Sequence, residues 1–194
     1  IEEQVAQFGP LNDYSVNYMW GTTGIGYNEG LINDRMENAP TTSLAMVFDP
    51  DVVSKFADCG VHLLNAPTEI IPAALAYLGE DPRSTDSDVI AKAEAVLTKV
   101  RPYIQKFHSS QYIDALANGD ICLVVGWSGD IFMAQYAAWD AENGVEIVYS
   151  IPDEGALMWF DQLAIPDDAP NADNAHKYIN WIMDPQQIAN ATNY

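Results

Sequence analysis

The chain has 194 residues, of which 48% are hydrophobic, and it carries 8 Lys and Arg against 28 Asp and Glu, a formal net charge of −20. This length is enough for one large domain or two small lobes with a buried core. So few basic residues argue against nucleic acid as a partner, because neutralising phosphates requires clustered Lys and Arg. The acidity fits either solubility in a salty or acidic-proteome habitat or the attraction of cationic ligands, and the second must rest on particular carboxylates.

Apolar stretches and cysteines narrow the class further. No run of 18 apolar residues is present, so we expect no membrane-spanning segment. The chain begins at Ile1 without Met or a signal peptide, which we interpret as a processed product or a piece of a longer protein. Cys59 and Cys122 are far apart and form no CxxC motif, which argues against a zinc or redox site. They are either two buried thiols or one disulfide, and a disulfide would indicate an oxidising compartment.

The apolar patterns predict strands that alternate with helices. After a weakly patterned lead-in over 1–13, the strands share side-chain alternation or an unbroken apolar run and cover 14–28, 60–64, 121–125, 145–151 and 156–165. The helices share capping residues, a helix-starting proline or an apolar stripe and cover 49–56, 68–78, 89–107, 111–117, 129–142, 172–183 and 185–194. This alternation predicts an α/β fold with a mainly parallel sheet.

The stretch 118–130 carries the strongest functional signal. Its apolar run 121–125 predicts a strand that is buried on both faces. The carboxyl end of this strand delivers Trp127 and then Asp130, at the edge where α/β sheets place their ligands. An aromatic face beside an acidic group suits an organic cation.

A second aromatic and acidic pair, and one further acid, extend this signal. Trp159 and Asp161 are two positions apart in a predicted strand and therefore face the same side. Glu69 lies at the predicted start of a helix. Each residue has a structural alternative, since a Trp is often part of the core and an acid at a helix start interacts favourably with the helix dipole. Three carboxylates in one cleft would repel one another unless a cation or protons joined them.

Enzymatic interpretations find less support in these residues. Paired carboxylates are used by glycosidases, but Ser128 does not stand in a GxSxG motif, because Asp130 takes the last position. The glycine-rich segment 21–28 lacks the Lys of a phosphate loop and the spacing of a dinucleotide loop. The histidines are scattered, and no HExxH or EF-hand pattern appears. We therefore expect a protein without catalysis, cofactor or metal.

Four segments, in this order, resemble the bacterial periplasmic polyamine-binding proteins of ABC importers, and in particular their putrescine-binding branch. They are YMWGTTGIGYN at 18–28, FHSSQYI at 107–113, NGDICLVVGWSGD at 118–130 and SIPDEGA at 150–156. The resemblance covers nearly the whole chain. It implies a receptor that binds putrescine, spermidine or both in the periplasm and delivers them to the permease of an ABC transporter.

The resemblance also implies a two-lobe periplasmic binding protein fold, type II-like, with one lobe incomplete in this chain. Residues 1–22 and 156–194 would belong to the first, incomplete lobe, and 23–155 would form the second. Hinge crossings would lie near 20–25 and 150–157. An incomplete lobe exposes sheet edges, so self-association of this fragment is plausible.

Ligand roles are carried over from the family to five positions. The resemblance implies that Trp127 and Trp159 pack on the methylene chain. Asp130 and Asp161 would bind ammonium groups, and Glu69 would bind the more distant amine.

Other features follow from the same resemblance. It implies a disulfide between Cys59 and Cys122, because a cysteine pair of the putrescine branch matches these positions. The opening and closing portions of the family, which hold further ligand residues, have no counterpart here, so we expect an internal fragment. Trp159 stands where the putrescine branch tends to have Phe and spermidine binders tend to have Trp, which leaves the choice of polyamine open. The alternative is a receptor of the same fold for another cationic or small polar solute.

Overall fold

The computed structural model describes residues 13–193. Predictions that fall on residues 1–12 and on Tyr194 lie outside the described residues. The chain divides into two compact units. The larger unit is Gly21–Met158, and the smaller unit combines the residues up to Trp20 with those from Trp159 onward. The corresponding lobe boundaries implied by the resemblance lie at 22 and 156.

Strands and helices alternate along the described chain. The strands are β1 (Ser15–Asn28), β2 (Val61–Leu63), β3 (Lys106–Phe107), β4 (Leu123–Trp127), β5 (Ile147–Ser150) and β6 (Leu157–Ala164). The α-helices are α1 (Glu29–Asn33), α2 (Ala45–Phe48), α3 (Pro50–Val53), α4 (Pro67–Tyr77), α5 (Ser87–Val100), α6 (Tyr112–Ala117), α7 (Ser128–Asp140), α8 (Ala172–Ile182) and α9 (Pro185–Thr192). The predicted α/β class is therefore confirmed.

The helix predicted over 89–107 is the largest difference between the predicted and the observed elements. It ends at Val100, and a 3₁₀ turn over Arg101–Tyr103 follows. Pro102 lies in this turn, where it lacks the N–H that a continuing α-helix needs. Residues Lys106–Phe107 then form β3, which pairs with β2. The short helices α1 and α2 carry no prediction, because five and four residues are too few for a periodic signal.

The sheet of the larger unit has the strand order β3-β2-β4-β1-β5. Strand β2 runs parallel to β3 and β4, whereas β1 runs antiparallel to β4 and β5. The prediction of a mainly parallel sheet is therefore wrong, and the sheet is mixed. Alternating strands and helices predict parallel neighbours only for strands that a crossover helix joins. Strand β1 lies between β4 and β5, which α7 joins, and its direction is not determined by such a crossover.

Close packing of α7 on the sheet depends on a glycine in β1. A Cβ at Gly26 would lie 2.7 Å from Cδ1 of Ile131, a fully buried side chain of α7. A glycine at this position therefore lets the helix approach the strand closely. This contact fixes the position of α7, whose first turn carries Asp130.

Cys59 and Cys122 form a disulfide in the larger unit, with Cα atoms 5.5 Å apart. Cys59 follows the 3₁₀ turn Ser54–Phe56, and Cys122 immediately precedes β4. The bond joins positions 63 residues apart. In the chain-entropy picture, closing a loop of this length stabilises the fold by about 4 kcal/mol. The bond therefore holds the start of β4, the strand that ends at Trp127.

Strand β6 pairs with β1. The side chain of Gln162 accepts a hydrogen bond from Ser15 Oγ at 3.1 Å and donates one to Asn17 Oδ1, also at 3.1 Å. Asp184 caps α9 by accepting from the backbone N–H groups of Gln186 and Gln187. Of the helices between residues 13 and 193, none has the length and apolar character that traversing a bilayer requires.

Candidate functional site

Trp127 is the last residue of β4 and directly precedes α7. Its backbone is extended, with φ −80° and ψ 140°, so the strand passes into the helix without an intervening loop. The antiparallel register between β1 and β4 places Trp127 opposite Thr23. The indole is half-buried and packs against the core of the larger unit. Part of the ring therefore remains available to a ligand.

Asp130 is held in the first turn of α7 by a fully buried tyrosine. The Tyr112 hydroxyl donates to Asp130 Oδ2 at 2.6 Å and accepts from the backbone N–H of Trp127 at 3.2 Å. Gly126 makes room for this tyrosine, since a Cβ there would lie 2.9 Å from Cε2 of its ring. The Tyr112 hydroxyl thus fixes both the Asp130 carboxylate and the backbone of Trp127.

The electrostatics of this pair favour a cationic partner. Burial raises the pKa of the Asp130 carboxyl above its ordinary 3.8, and the hydrogen bond from Tyr112 acts in the opposite direction. Burial, and secondarily the hydrogen bond to Asp130, raises the pKa of Tyr112, so this phenol remains a neutral donor. No hydrogen bond among the described residues occupies the second oxygen of Asp130. A charge whose burial is incompletely compensated is stabilised by a nearby cation.

Glu69 lies in the first turn of α4, which begins at Pro67. The Thr23 hydroxyl donates to Glu69 Oε2 at 2.5 Å. Because Thr23 is also the register partner of Trp127, this threonine links the acid on α4 to the aromatic residue that ends β4. The negative charge of Glu69 contributes, less than burial does, to the raised pKa of Tyr112. The structure therefore places Glu69, Trp127 and Asp130 around one region of the larger unit.

Thr23 and Tyr112 are the positioning residues that the sequence did not indicate. Both lie within segments that resemble the polyamine-binding family, but neither carries a charge that would identify it as a ligand contact. A signal for Tyr112 exists in principle, since a buried tyrosine usually finds a partner for its hydroxyl. Its partner is 18 positions away in the chain, however, and Thr23 and Glu69 are 46 positions apart.

Trp159 and Asp161 lie on β6 in the smaller unit. Two positions apart on a strand, they project to the same side. Trp159 is half-buried, and its Nε1 is buried without a hydrogen-bond partner among the described residues. Asp161 is exposed. Their role as ligand contacts stays a prediction.

The three residues in the larger unit combine a ring face with two carboxylates. This combination suits an ammonium group attached to an alkyl chain, since the ring attracts the cation and the apolar body covers methylene groups. Among residues 13–193, no group of three His, Cys, Asp or Glu side chains is placed to hold a metal ion.

Residues 1–194 match the family model described as bacterial extracellular solute-binding protein. The chain belongs to this family. Within this solute-binding protein family, the chain is 44% identical over 192 residues to the putrescine-binding periplasmic protein PotF of Escherichia coli, an alignment covering 98% of this chain and 52% of PotF. It is 46% identical over 184 residues to the putrescine-binding periplasmic protein SpuD of Pseudomonas aeruginosa, covering 94% of this chain and 50% of SpuD. The resemblance to polyamine-binding proteins is thereby confirmed.

Solved structures of solute-binding proteins agree with the fold. The spermidine/putrescine ABC transporter substrate-binding protein PotD of Streptococcus pneumoniae superposes with a TM-score of 0.71 at 26% identity, over 96% of this chain and 54% of PotD. This likeness confirms the predicted periplasmic binding protein fold. The chain spans about half the length of the curated relatives that it matches.

Proposed function

We propose that the protein to which this chain belongs is a periplasmic receptor that binds putrescine, spermidine or both and delivers them to an ABC importer. It binds its ligand and catalyses no reaction. The observation that carries the proposal is the pairing of Trp127 with Asp130 through Tyr112 at the end of β4. The names of PotF and SpuD, which describe putrescine-binding periplasmic proteins, support the same ligand class.

The chemistry of the larger unit suits one end of a diammonium chain. An ammonium beside Asp130 would supply the compensating charge that this partly buried carboxylate lacks, and methylene groups would cover the indole of Trp127. Glu69, held by Thr23, would bind a second amine. A cation over a well-placed ring contributes about 0.5–2 kcal/mol, so the carboxylates supply selectivity for charge and the ring supplies selectivity for a slender chain.

The smaller unit adds two further contacts to the proposal. Trp159 would pack on the methylene chain and Asp161 would bind an ammonium group. The periplasmic location, supported by the names of PotF and SpuD, and the importer partner, supported by the description of the Streptococcus pneumoniae PotD as an ABC transporter substrate-binding protein, also belong to the proposal. A ligand can signal to an importer only if it shifts the receptor between conformations of different affinity for that importer.

Self-association of the chain is a further expectation, which sedimentation velocity would measure.

Isothermal titration calorimetry tests the proposal. The protein, expressed with any flanking sequence that its gene encodes, is titrated with putrescine and with spermidine. We expect saturable binding of at least one of them, weakened by Trp127→Ala and by Asp130→Asn. Trp139→Ala and Asp140→Asn are matched controls, because both residues are exposed on the same helix, α7, and neither belongs to the site.

Two results would reject the proposal. One is the absence of saturation for both polyamines. The other is equal binding by the site variants and the control variants. If neither polyamine binds, a thermal-shift screen of amino acids, betaines and sugars would show whether the same fold serves another small polar or cationic solute.

A further inference from the structure

A cavity of about 140 Å³ lies in the larger unit beside Thr23, the residue that donates to Glu69. Its walls come from β1 and β4, from α4, from Leu44 and Pro82, and from residues 154–157, the last of which begins β6. The walls are mostly apolar. In size it matches engineered apolar cavities of ~150 Å³, which stay dry and bind small apolar molecules such as benzene. The cavity therefore has room for a short alkyl arm.

The cavity adjoins the part of the site that holds Glu69. Thr23, whose hydroxyl donates to Glu69, lines the cavity as well. Pro72 and Ala73 also line it, and they follow Glu69 by three and four positions on α4. Residues with this spacing share one face of a helix. A ligand whose amine contacts Glu69 would therefore reach the cavity by continuing along the same face of α4.

Small side chains keep this space open. Ala73 and Ala76, which both line the cavity, are one turn apart on α4. A larger residue at either alanine would fill the volume. Substitutions at these alanines can therefore test whether a ligand enters the cavity.

Glu154 is the acidic residue among those that line the cavity. Its Oε1 accepts from Ser43 Oγ at 2.5 Å and from the backbone N–H of Leu44 at 3.1 Å, and its Oε2 accepts from the same N–H at 3.0 Å. A carboxylate offers about four lone-pair positions, so these contacts orient Glu154 and leave it able to accept another donor. An ammonium in an apolar space needs such a partner, because burying it unpaired is costly.

We propose that this cavity is a subsite for an aminoalkyl arm that extends beyond the amine at Glu69, with the terminal ammonium directed to Glu154. The inference rests on the proposed polyamine function and adds a basis for selectivity by length. Putrescine, a four-carbon diamine, has no arm beyond the two amines that Asp130 and Glu69 would bind, so it would leave the cavity empty. Spermidine, which carries an additional aminopropyl arm, fills the subsite.

Titration calorimetry with three ligands tests the inference. They are putrescine, spermidine, and N-propylputrescine, which has the arm of spermidine without its terminal amine. We expect Ala76→Leu to lower the affinity for spermidine and N-propylputrescine at least tenfold relative to putrescine. The same substitution at Ala137, which is exposed on α7, is the matched control and leaves all three affinities unchanged.

Glu154→Gln provides an independent test, because the amide oxygen keeps the contacts with Ser43 and Leu44. A hydrogen bond to a charged group contributes enough that its loss lowers affinity about tenfold or more. We expect this loss for spermidine and no change for N-propylputrescine or putrescine. Glu146→Gln, at an exposed acid before β5, is the control. Circular dichroism and urea unfolding verify that each variant is folded.

The outcomes separate the inference from the function on which it rests. If the polyamines bind but both variants change spermidine and putrescine by the same factor, the subsite is wrong and the receptor function stands. The subsite is also wrong if Glu154→Gln weakens N-propylputrescine as strongly as spermidine. If the unsubstituted protein binds none of the three ligands, both proposals fall.

Discussion

Replacing Asp130 with Asn separates a role in ligand binding from a role in stability. The amide oxygen of Asn can accept the Tyr112 hydroxyl, which donates to the carboxylate at 2.6 Å in the present structure. The geometry of the first turn of α7 is therefore retained, and the change is one of charge. Burial raises the pKa of this carboxyl and the bond from Tyr112 offsets only part of that effect. The charged form of Asp130 is consequently less favourable in the folded protein than in the unfolded chain.

Two opposing contributions determine the effect on stability. Hydrogen bonds to charged groups contribute about 1.5–3 kcal/mol and neutral ones about 0.5–1.5 kcal/mol, so the substitution weakens the bond to Tyr112 by roughly 1 kcal/mol. It also removes the cost of burying a charge, which is the larger influence because the pKa is raised on balance. We expect the free energy of unfolding of Asp130→Asn at pH 7 to equal or exceed that of the unsubstituted protein. Polyamine binding, by contrast, should weaken by about 2 kcal/mol or more, roughly thirtyfold, because an ammonium loses its charged partner.

The pH dependence of stability provides the sharper assay. For an acid whose pKa is raised on folding, the favourable contribution is fully present below the ordinary pKa of 3.8 and is lost as pH rises through the folded pKa. The difference in unfolding free energy, Asn variant minus unsubstituted protein, should therefore increase as pH rises from 3.5 and level off near neutrality, about where both states are ionised. Urea unfolding followed by circular dichroism at several pH values measures it. A pH-independent difference, or a variant less stable by more than about 1 kcal/mol at pH 7, would show that Asp130 is a structural acid.

Three further predictions concern the supports of the site. Tyr112→Phe should lower the free energy of unfolding by about 1.5–3 kcal/mol, because Asp130 and the backbone N–H of Trp127 lose their hydrogen-bond partner. An unchanged midpoint of urea unfolding would show that these two hydrogen bonds do not stabilise the fold. Gly126→Ala should lower the free energy of unfolding by about 1–3 kcal/mol, since the new Cβ would overlap the Tyr112 ring. Gly129→Ala, which adds a methyl group in open space on α7, should raise it by about 0.5–1 kcal/mol. Thermal unfolding of the two variants measures this difference in sign. Reducing the Cys59–Cys122 bond should cost about 4 kcal/mol, and equal urea midpoints with and without reductant would refute this.

Local signals in the sequence predicted most of the helices and strands. Pro67 at the start of α4 and Asp86, whose side chain caps α5, define helix starts because each satisfies or avoids an unpaired backbone N–H. The apolar run before Trp127 predicts a buried strand, and β4 is buried over Leu123–Gly126. Strand β3 could not be predicted in this way. It has two exposed residues without periodicity, and it exists only because it pairs with β2.

The direction of β1 is the clearest limit of pattern reasoning about the fold. Its sequence indicates an extended segment, and the segment is extended over Ser15–Asn28. Nothing within the segment determines that it lies between β4 and β5 and runs antiparallel to both. The alternation of side chains along a strand indicates which face of the strand is buried. It does not indicate the strand direction, because a parallel and an antiparallel strand bury the same side chains.

The sequence by itself determined the composition of the candidate site and the chemistry that it suits. Trp127 and Asp130 are three positions apart at the end of a predicted strand, so their proximity follows from backbone geometry alone, and an aromatic ring beside a carboxylate indicates a cationic ligand. Only the tertiary structure showed that Thr23 holds Glu69 and that Tyr112 holds Asp130. These contacts join residues 46 and 18 positions apart, and they form because sheet register and helix packing bring the partners together. The cavity beside Thr23 has the same origin, since its walls come from β1, β4, α4 and residues 154–157, and a volume enclosed by distant segments leaves no local pattern in the chain.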